Sequence, residues 1–311
     1  MNKVFKELVK IKVIGVGGAG CNFLERLEQL DNKGVERIAL ALPGKAFNHL
    51  KIAKKIPLAE SDKIVLTDAS AETGTKLASD HHSEIFDAVK GADIVFIISS
   101  LSREINIGIM EEVVSVLKKE GILSFIMATK PFFFEGDNKK EIAQTAHTKL
   151  MALADAMVTI ASDKLFVKGM PAEKALSVID TTLLIYIESL IEIINKFGEI
   201  NVDFNDFKTT IASSGQAFIG IGESIRPNLN KALNEASNNQ FLEGNLDGAK
   251  KLLYVIYSGV DVAMDEIKEV AEFIKGKSAP DARIIFGVVL DKELKNKIKI
   301  VILAGGVDIV S

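Results

Sequence analysis

Six short apolar runs punctuate the first half of the chain: Lys12 to Gly15, Arg37 to Ala41, Lys63 to Leu66, Ile94 to Ser99, Leu123 to Ala128 and Met157 to Ala161. Between them lie segments with helical periodicity, among them Asn22 to Leu30, Ala71 to Lys90, Ile109 to Lys119 and Lys139 to Ala156. Strands that alternate with helices are joined by crossovers, and crossovers give a parallel sheet with helices on both faces. The expected fold class is therefore α/β, with a doubly wound parallel-sheet domain of nucleotide-binding type at the N-terminus.

Pro171 opens a long, mostly apolar helical pattern that runs to Ile194 and carries apolar residues on nearly every face. Proline suits a first helical turn, and a helix apolar all round is buried on more than one side, which predicts a long central helix between two domains. Past Gly198 the expected elements are helices near Phe207 to Ser213 and Leu229 to Ala236, strands at Leu252 to Tyr257, Arg283 to Leu290 and Ile298 to Leu303, and a helix at Asp265 to Lys275. The last two strands, separated by a short charged turn, form a hairpin candidate, so the second domain is expected to be a smaller α+β unit. The expected division is residues 1–170, 171–200 and 201–311.

With 311 residues and 48% hydrophobic content the chain can bury a sizeable core. A net charge of -4 and scattered lysines give no basic stripe for nucleic acid, and Cys21, the only cysteine, allows neither an internal disulfide nor a multi-thiolate metal site. No metal site is expected, and His49, His81, His82 and His147 read as surface residues. No apolar stretch has the length of a membrane span or signal-peptide core, so a cytoplasmic protein without direct membrane contact is the expectation.

Three loops carry the candidate chemistry. Gly15, Gly17 and Gly20, between a strand and a helix, match G-x-G-x-x-G and suit a turn that cradles phosphate on backbone N–H groups. A Rossmann-type dinucleotide site also needs an acid at the end of the second strand, where this chain has Ala41-Leu42-Pro43. Thr129-Lys130-Pro131-Phe132-Phe133-Phe134-Glu135-Gly136 puts Glu135 where α/β sheets bind ligands, although its phenylalanines equally suit plugging the core. In Asn201-Val202-Asp203-Phe204-Asn205-Asp206, the carboxylates can position water, but helix N-capping is favoured on local physics.

Together these segments resemble the FtsZ family, relatives of tubulin, and the resemblance runs from about Ile11 to Asp308 through Lys12 to Gly20, Gly91 to Phe96, Thr129 to Gly136, Asn201 to Asp206 and Asp281 to Gly287. It implies GTP at the junction of subunits stacked head to tail, with the Asn201, Asp203 and Asp206 loop of one subunit catalysing at the γ-phosphate held by its neighbour. On the same basis Gly17, Gly18, Gly20, Asn22, Gly108, Glu135, Lys139 and Asp180 are the candidate nucleotide-binding residues: Glu135 at the ribose, Lys139 at phosphate, Asn22 and Asp180 at the base, with Leu176 in place of an aromatic.

The family's second glycine loop corresponds to Ser102-Arg103-Glu104-Ile105-Asn106-Ile107-Gly108, which keeps one glycine and neither hydroxyl. Side chains with a Cβ resist the left-handed geometry of such loops and fill the space phosphate needs, and a carboxylate about 4 Å from phosphate costs roughly 4 kcal/mol. Ala41-Leu42-Pro43 and Leu66 to Glu72 are altered as well. The expected function is a cytoskeletal protein that self-assembles head to tail without requiring GTP or GDP, its Asn201, Asp203 and Asp206 serving the interface, with Ile105, Ile107, Leu42 and Pro43 facing the junction. Possible partners are itself and a true FtsZ. The alternatives are a GTPase of cell division with an unusual phosphate loop, and a Rossmann-type dinucleotide enzyme.

Overall fold

A computed structural model describes residues 9–27, 34–60, 70–165, 170–239 and 241–309. Its N-terminal half contains β1 (Ile11–Val16), α1 (Gly17–Arg26), β2 (Glu36–Ala41), α2 (Lys45–His49), β3 (Lys54–Pro57), α3 (Ala71–Asp80), α4 (His82–Val89), β4 (Ile94–Ser100), α5 (Glu104–Lys119), β5 (Leu123–Thr129), α6 (Asp137–Leu153) and β6 (Ala156–Ile160). All six strands pair in parallel, in the order β3-β2-β1-β4-β5-β6. The order reverses between β1 and β4, and in open α/β sheets that crevice, at the carboxyl ends of the strands, is where ligands bind.

Alternation along the strands sends side chains to two cores. On β1, Ile11 and Val13 face the layer that contains α1, whereas Ile14 and Val16 face α3, α4, α5 and α6. The first core continues without a break through α7 (Ala172–Asn195) into the C-terminal half, where Tyr254, Tyr257 and Phe218 are fully buried. Helix α7 buries Ile179, Leu183, Ile187, Leu190 and Ile194, as expected for a helix held between two sheets.

After α7 come α8 (Phe204–Ile211), β7 (Gly215–Ile225), α9 (Leu229–Ser237), β8 (Ala249–Ser258), α10 (Met264–Lys277), β9 (Ser278–Leu290) and β10 (Lys297–Gly305). The two sheets join where β7 pairs with β6 through Ala156–Gly215 and Met157–Gln216. The α/β architecture with a smaller C-terminal α+β unit is as expected.

Four details differ from the sequence reading. The hairpin of β9 and β10 does not form: β8 lies between them, antiparallel to β10 and parallel to β9, and the charged turn crosses its end, with Asp291 N–H donating to the Ser258 carbonyl at 2.8 Å. Strand β7 was not expected, because its glycines weaken a strand pattern. A Cβ on Gly220 or Gly222 would come within 1.7 or 1.9 Å of carbonyl oxygens of α9, so the glycines admit that helix. The pattern Ala71 to Lys90 is two helices that break at His81. His147 is fully buried, with Nε2 2.9 Å from Gln216 Oε1. The third expected strand, Lys63 to Leu66, lies outside the described residues, and the observed edge strand is β3.

Candidate functional site

Two adjoining cavities open at the strand-order reversal, at the carboxyl ends of β1 and β4. The larger, about 690 Å³, is lined by Asn22 and Arg26 of α1, Ser99 and Ser100 of β4, Lys130 and Glu135 after β5, and Leu176, Asp180 and Leu183 of α7. The smaller, about 310 Å³, is lined by Gly17, Gly18, Leu42, Pro43, Lys45, Arg103 and Asn106. They share Ala19, Ser100 and Ser102, so one extended ligand can reach both.

The glycine turn meets the requirements of an anion cradle. Gly17 begins α1 at φ +70°, a left-handed conformation that L-residues rarely adopt, and Gly18 has open space where a Cβ would stand. No side chain caps α1 and its first turn holds no acid, so its leading N–H groups and the positive end of its dipole face the small cavity. Gly20 is buried instead against the Ile98 carbonyl oxygen, 2.6 Å from where its Cβ would lie, and serves the packing of α1 on β4.

In the large cavity Glu135 Oε1 accepts from the Phe132 backbone N–H at 3.0 Å, and Oε2 accepts from Lys139 Nζ at 2.9 Å. Lys139 thus serves Glu135, one helical turn away, and lines neither cavity, contrary to its expected place at phosphate. Asp180 Oδ2 lies 2.8 Å from Arg26 Nε, an ion pair between α7 and α1. Burial pushes the Asp180 carboxyl above its ordinary pKa, and the Arg26 charge opposes that shift. Arg26 escaped the sequence reading, although its place four residues after Asn22 puts both on one face of α1. Lys130, inside a motif already singled out, borders the cavity while its Nζ pairs with Glu243 Oε1 at 2.6 Å.

The degenerate glycine loop folds differently from expectation. Arg103 ends the loop and α5 begins at Glu104, but Ile105 and Ile107 are buried in the core shared with α3, and of the two only Ile105 also borders the small cavity. Gly108 is also turned away: a Cβ there would sit 1.8 Å from the Ala71 carbonyl oxygen, so this glycine serves the approach of α3 to α5 and lines neither of these two cavities. Phe133 and Phe134 are exposed, and only Phe132 is buried, which excludes the core-plug reading of that loop.

Asn201, Asp203 and Asp206 lie at the other end of α7, a helix of 24 residues and so about 36 Å long. Asp203 caps α8: its Oδ1 accepts from Asp206 N–H at 2.9 Å, and Asp206 Oδ2 accepts from Asp203 N–H at 3.0 Å. Asn201 is exposed, its Oδ1 3.5 Å from the Gly198 nitrogen.

Comparison with known proteins covers both halves. A family model described as the GTPase domain of the Tubulin/FtsZ family matches residues 10–168, and one for the FtsZ family C-terminal domain matches residues 215–308. Cell division protein FtsZ 1 of Thermococcus kodakarensis is 33% identical over 312 aligned residues, covering 99% of this chain and 83% of that protein. Among solved structures, an empty FtsZ dimer from M. jannaschii superposes with a TM-score of 0.83 at 31% identity, over 96% of this chain and 88% of that one. CetZ2 from Haloferax volcanii, a GTPγS-bound protofilament, gives 0.81 at 18% identity, over 96% and 94% respectively, a likeness of fold.

Proposed function

Because the chain belongs to the tubulin/FtsZ family, we propose that it is a subunit of a cytoskeletal filament that stacks head to tail and assembles without requiring GTP binding or hydrolysis. The observation that carries this reading is the separation of the two half-sites. The cavities sit at the N-terminal end of α7 and the acidic loop at its C-terminal end, so one chain cannot bring them together and a second copy can. A contact between different surfaces of two copies repeats without closing, which makes a filament.

The exposed apolar side chains support the same axis. Phe197, Ile200, Ile225, Val260, Met264 and Leu290 belong to the end of the molecule that holds the acidic loop, where Ile200 pairs with Val288, and Ser258 pairs with Leu290 and Ile298. Phe133, Phe134 and Leu176 stand at the cavity end. Apolar surface at both ends favours a junction that holds without nucleotide, and the M. jannaschii relative is described as an empty FtsZ dimer. Loss of the glycine loop and its hydroxyls at Glu104, Ile105 and Ile107 argues against turnover. The Thermococcus relative's name points to cell division as the process served.

A second reading, GTP binding by the same cavities, is favoured by the uncapped start of α1. Negative-stain electron microscopy of nucleotide-stripped protein, with and without GTP and Mg²⁺, separates the two. Filaments in both samples are expected, and filaments only with GTP would overturn the favoured reading.

A further inference from the structure

The small cavity is built for an anion. Besides the uncapped N-terminus of α1, it holds Asn106, whose side chain is nine-tenths buried, has no hydrogen-bond partner among the described residues and lies against the Gly17 turn, with Nδ2 2.5 Å from the position of a Gly17 Cβ. Lys45 and Arg103 line the same cavity, are exposed, and form no ion pair among the described residues. The opposite end of the molecule carries the complementary charge: Glu199 is exposed, and Asp203 and Asp206 each have one oxygen engaged in the α8 cap and one without a hydrogen bond among the described residues. Between Lys196 and Lys208 the chain has three carboxylates and no cation.

We propose that the occupant of the small cavity is the acidic loop of a second copy, its carboxylates standing where a nucleotide phosphate would otherwise be held. Lys45 and Arg103 meet Glu199, Asp203 and Asp206 of the next subunit, and the Asn106 amide and the α1 N–H groups complete the anion's hydrogen bonds. This rests on the head-to-tail reading above and supplies its chemistry: the ligand that closes the junction is part of the protein, so assembly carries a direct electrostatic signature.

The test is sedimentation of nucleotide-stripped protein across a series of salt concentrations, with K45E/R103E, N106D and the charge swap R103E/E199K. Folding of each variant is checked by circular dichroism. K45E/R103E and N106D are each expected to raise the critical concentration about tenfold or more, and R103E/E199K to recover assembly relative to R103E alone. Wild-type polymer is expected to diminish as salt rises. Polymer formed equally well by wild type, K45E/R103E and N106D would overturn this inference while leaving the head-to-tail reading intact. Absence of polymer from the wild type would overturn both.

Discussion

Gly108 and Gly18 both belong to segments of nucleotide-binding pattern, yet their surroundings make opposite demands. Gly108 sits where a Cβ would collide with the backbone of α3, and Gly18 faces open space inside a helix. Gly108→Ala is therefore expected to cost about 3 kcal/mol, and Gly18→Ala to be neutral or to stabilise by up to about 1 kcal/mol, as read from urea denaturation. Cys21 is fully buried, and burial, with only partial opposition from Lys55, pushes its thiol up to about 11. Its labelling by a disulfide reagent should track global unfolding, and fast labelling of native protein would contradict the packing of α1. Sequence pattern identified Gly17 and Gly18 as a turn facing a cavity, because φ and helix start are local properties. It could not separate them from Gly108, whose requirement comes from α3, a helix more than 30 residues away in sequence, where the Ala71 and Thr75 backbone leaves no room for a Cβ and the Thr75 hydroxyl donates to the Gly108 carbonyl.

Two polar clusters tie the elements together. At the seam of the two sheets, Lys130 after β5 pairs with Glu243, while His147 of α6 bonds Gln216 of β7. Removing one partner of a half-buried pair leaves a partly desolvated charge uncompensated, so Glu243→Ala should cost about 1 to 2 kcal/mol in thermal or chemical unfolding. At the far end of α7, Lys196 donates to Asp291 at 2.8 Å and holds its carboxyl below the ordinary range, against the opposing effect of burial. A depressed carboxylate contributes stability above its unfolded pKa of about 3.9 and loses it as pH falls through the folded value. Asp291→Asn should accordingly cost about 1 kcal/mol at pH 7, a modest figure because Lys196 is partly in water, and the gap to wild type should close below about pH 4. These clusters link residues far apart in the chain, which explains why His147 read as a surface residue: its neighbour Gln216 belongs to β7, the strand hidden by glycines.

The whole molecule is polarised along α7, with cavities at one end and the capped acidic loop at the other. Phe134 and Met264, 62% and 76% exposed, stand at the two ends. Phe134→Glu and Met264→Glu should each weaken sedimentable assembly while shifting unfolding free energy by no more than about 0.5 kcal/mol; a large loss of stability instead would make them structural residues. Strand and helix periods, the glycine turn, the proline start of α7 and the Asp203 cap were legible in the chain, because each depends on neighbours within a few residues. The insertion of β8 between β9 and β10, the inward turn of Ile105, Ile107 and Gly108, the pairing of Lys139 with Glu135 and of Arg26 with Asp180, and the apolar character of both ends were decided only in three dimensions. Local hydrogen bonding and backbone sterics set the elements, whereas burial is shared among residues distant in sequence, and it is burial that determines which side chains face a cavity, a core or another copy.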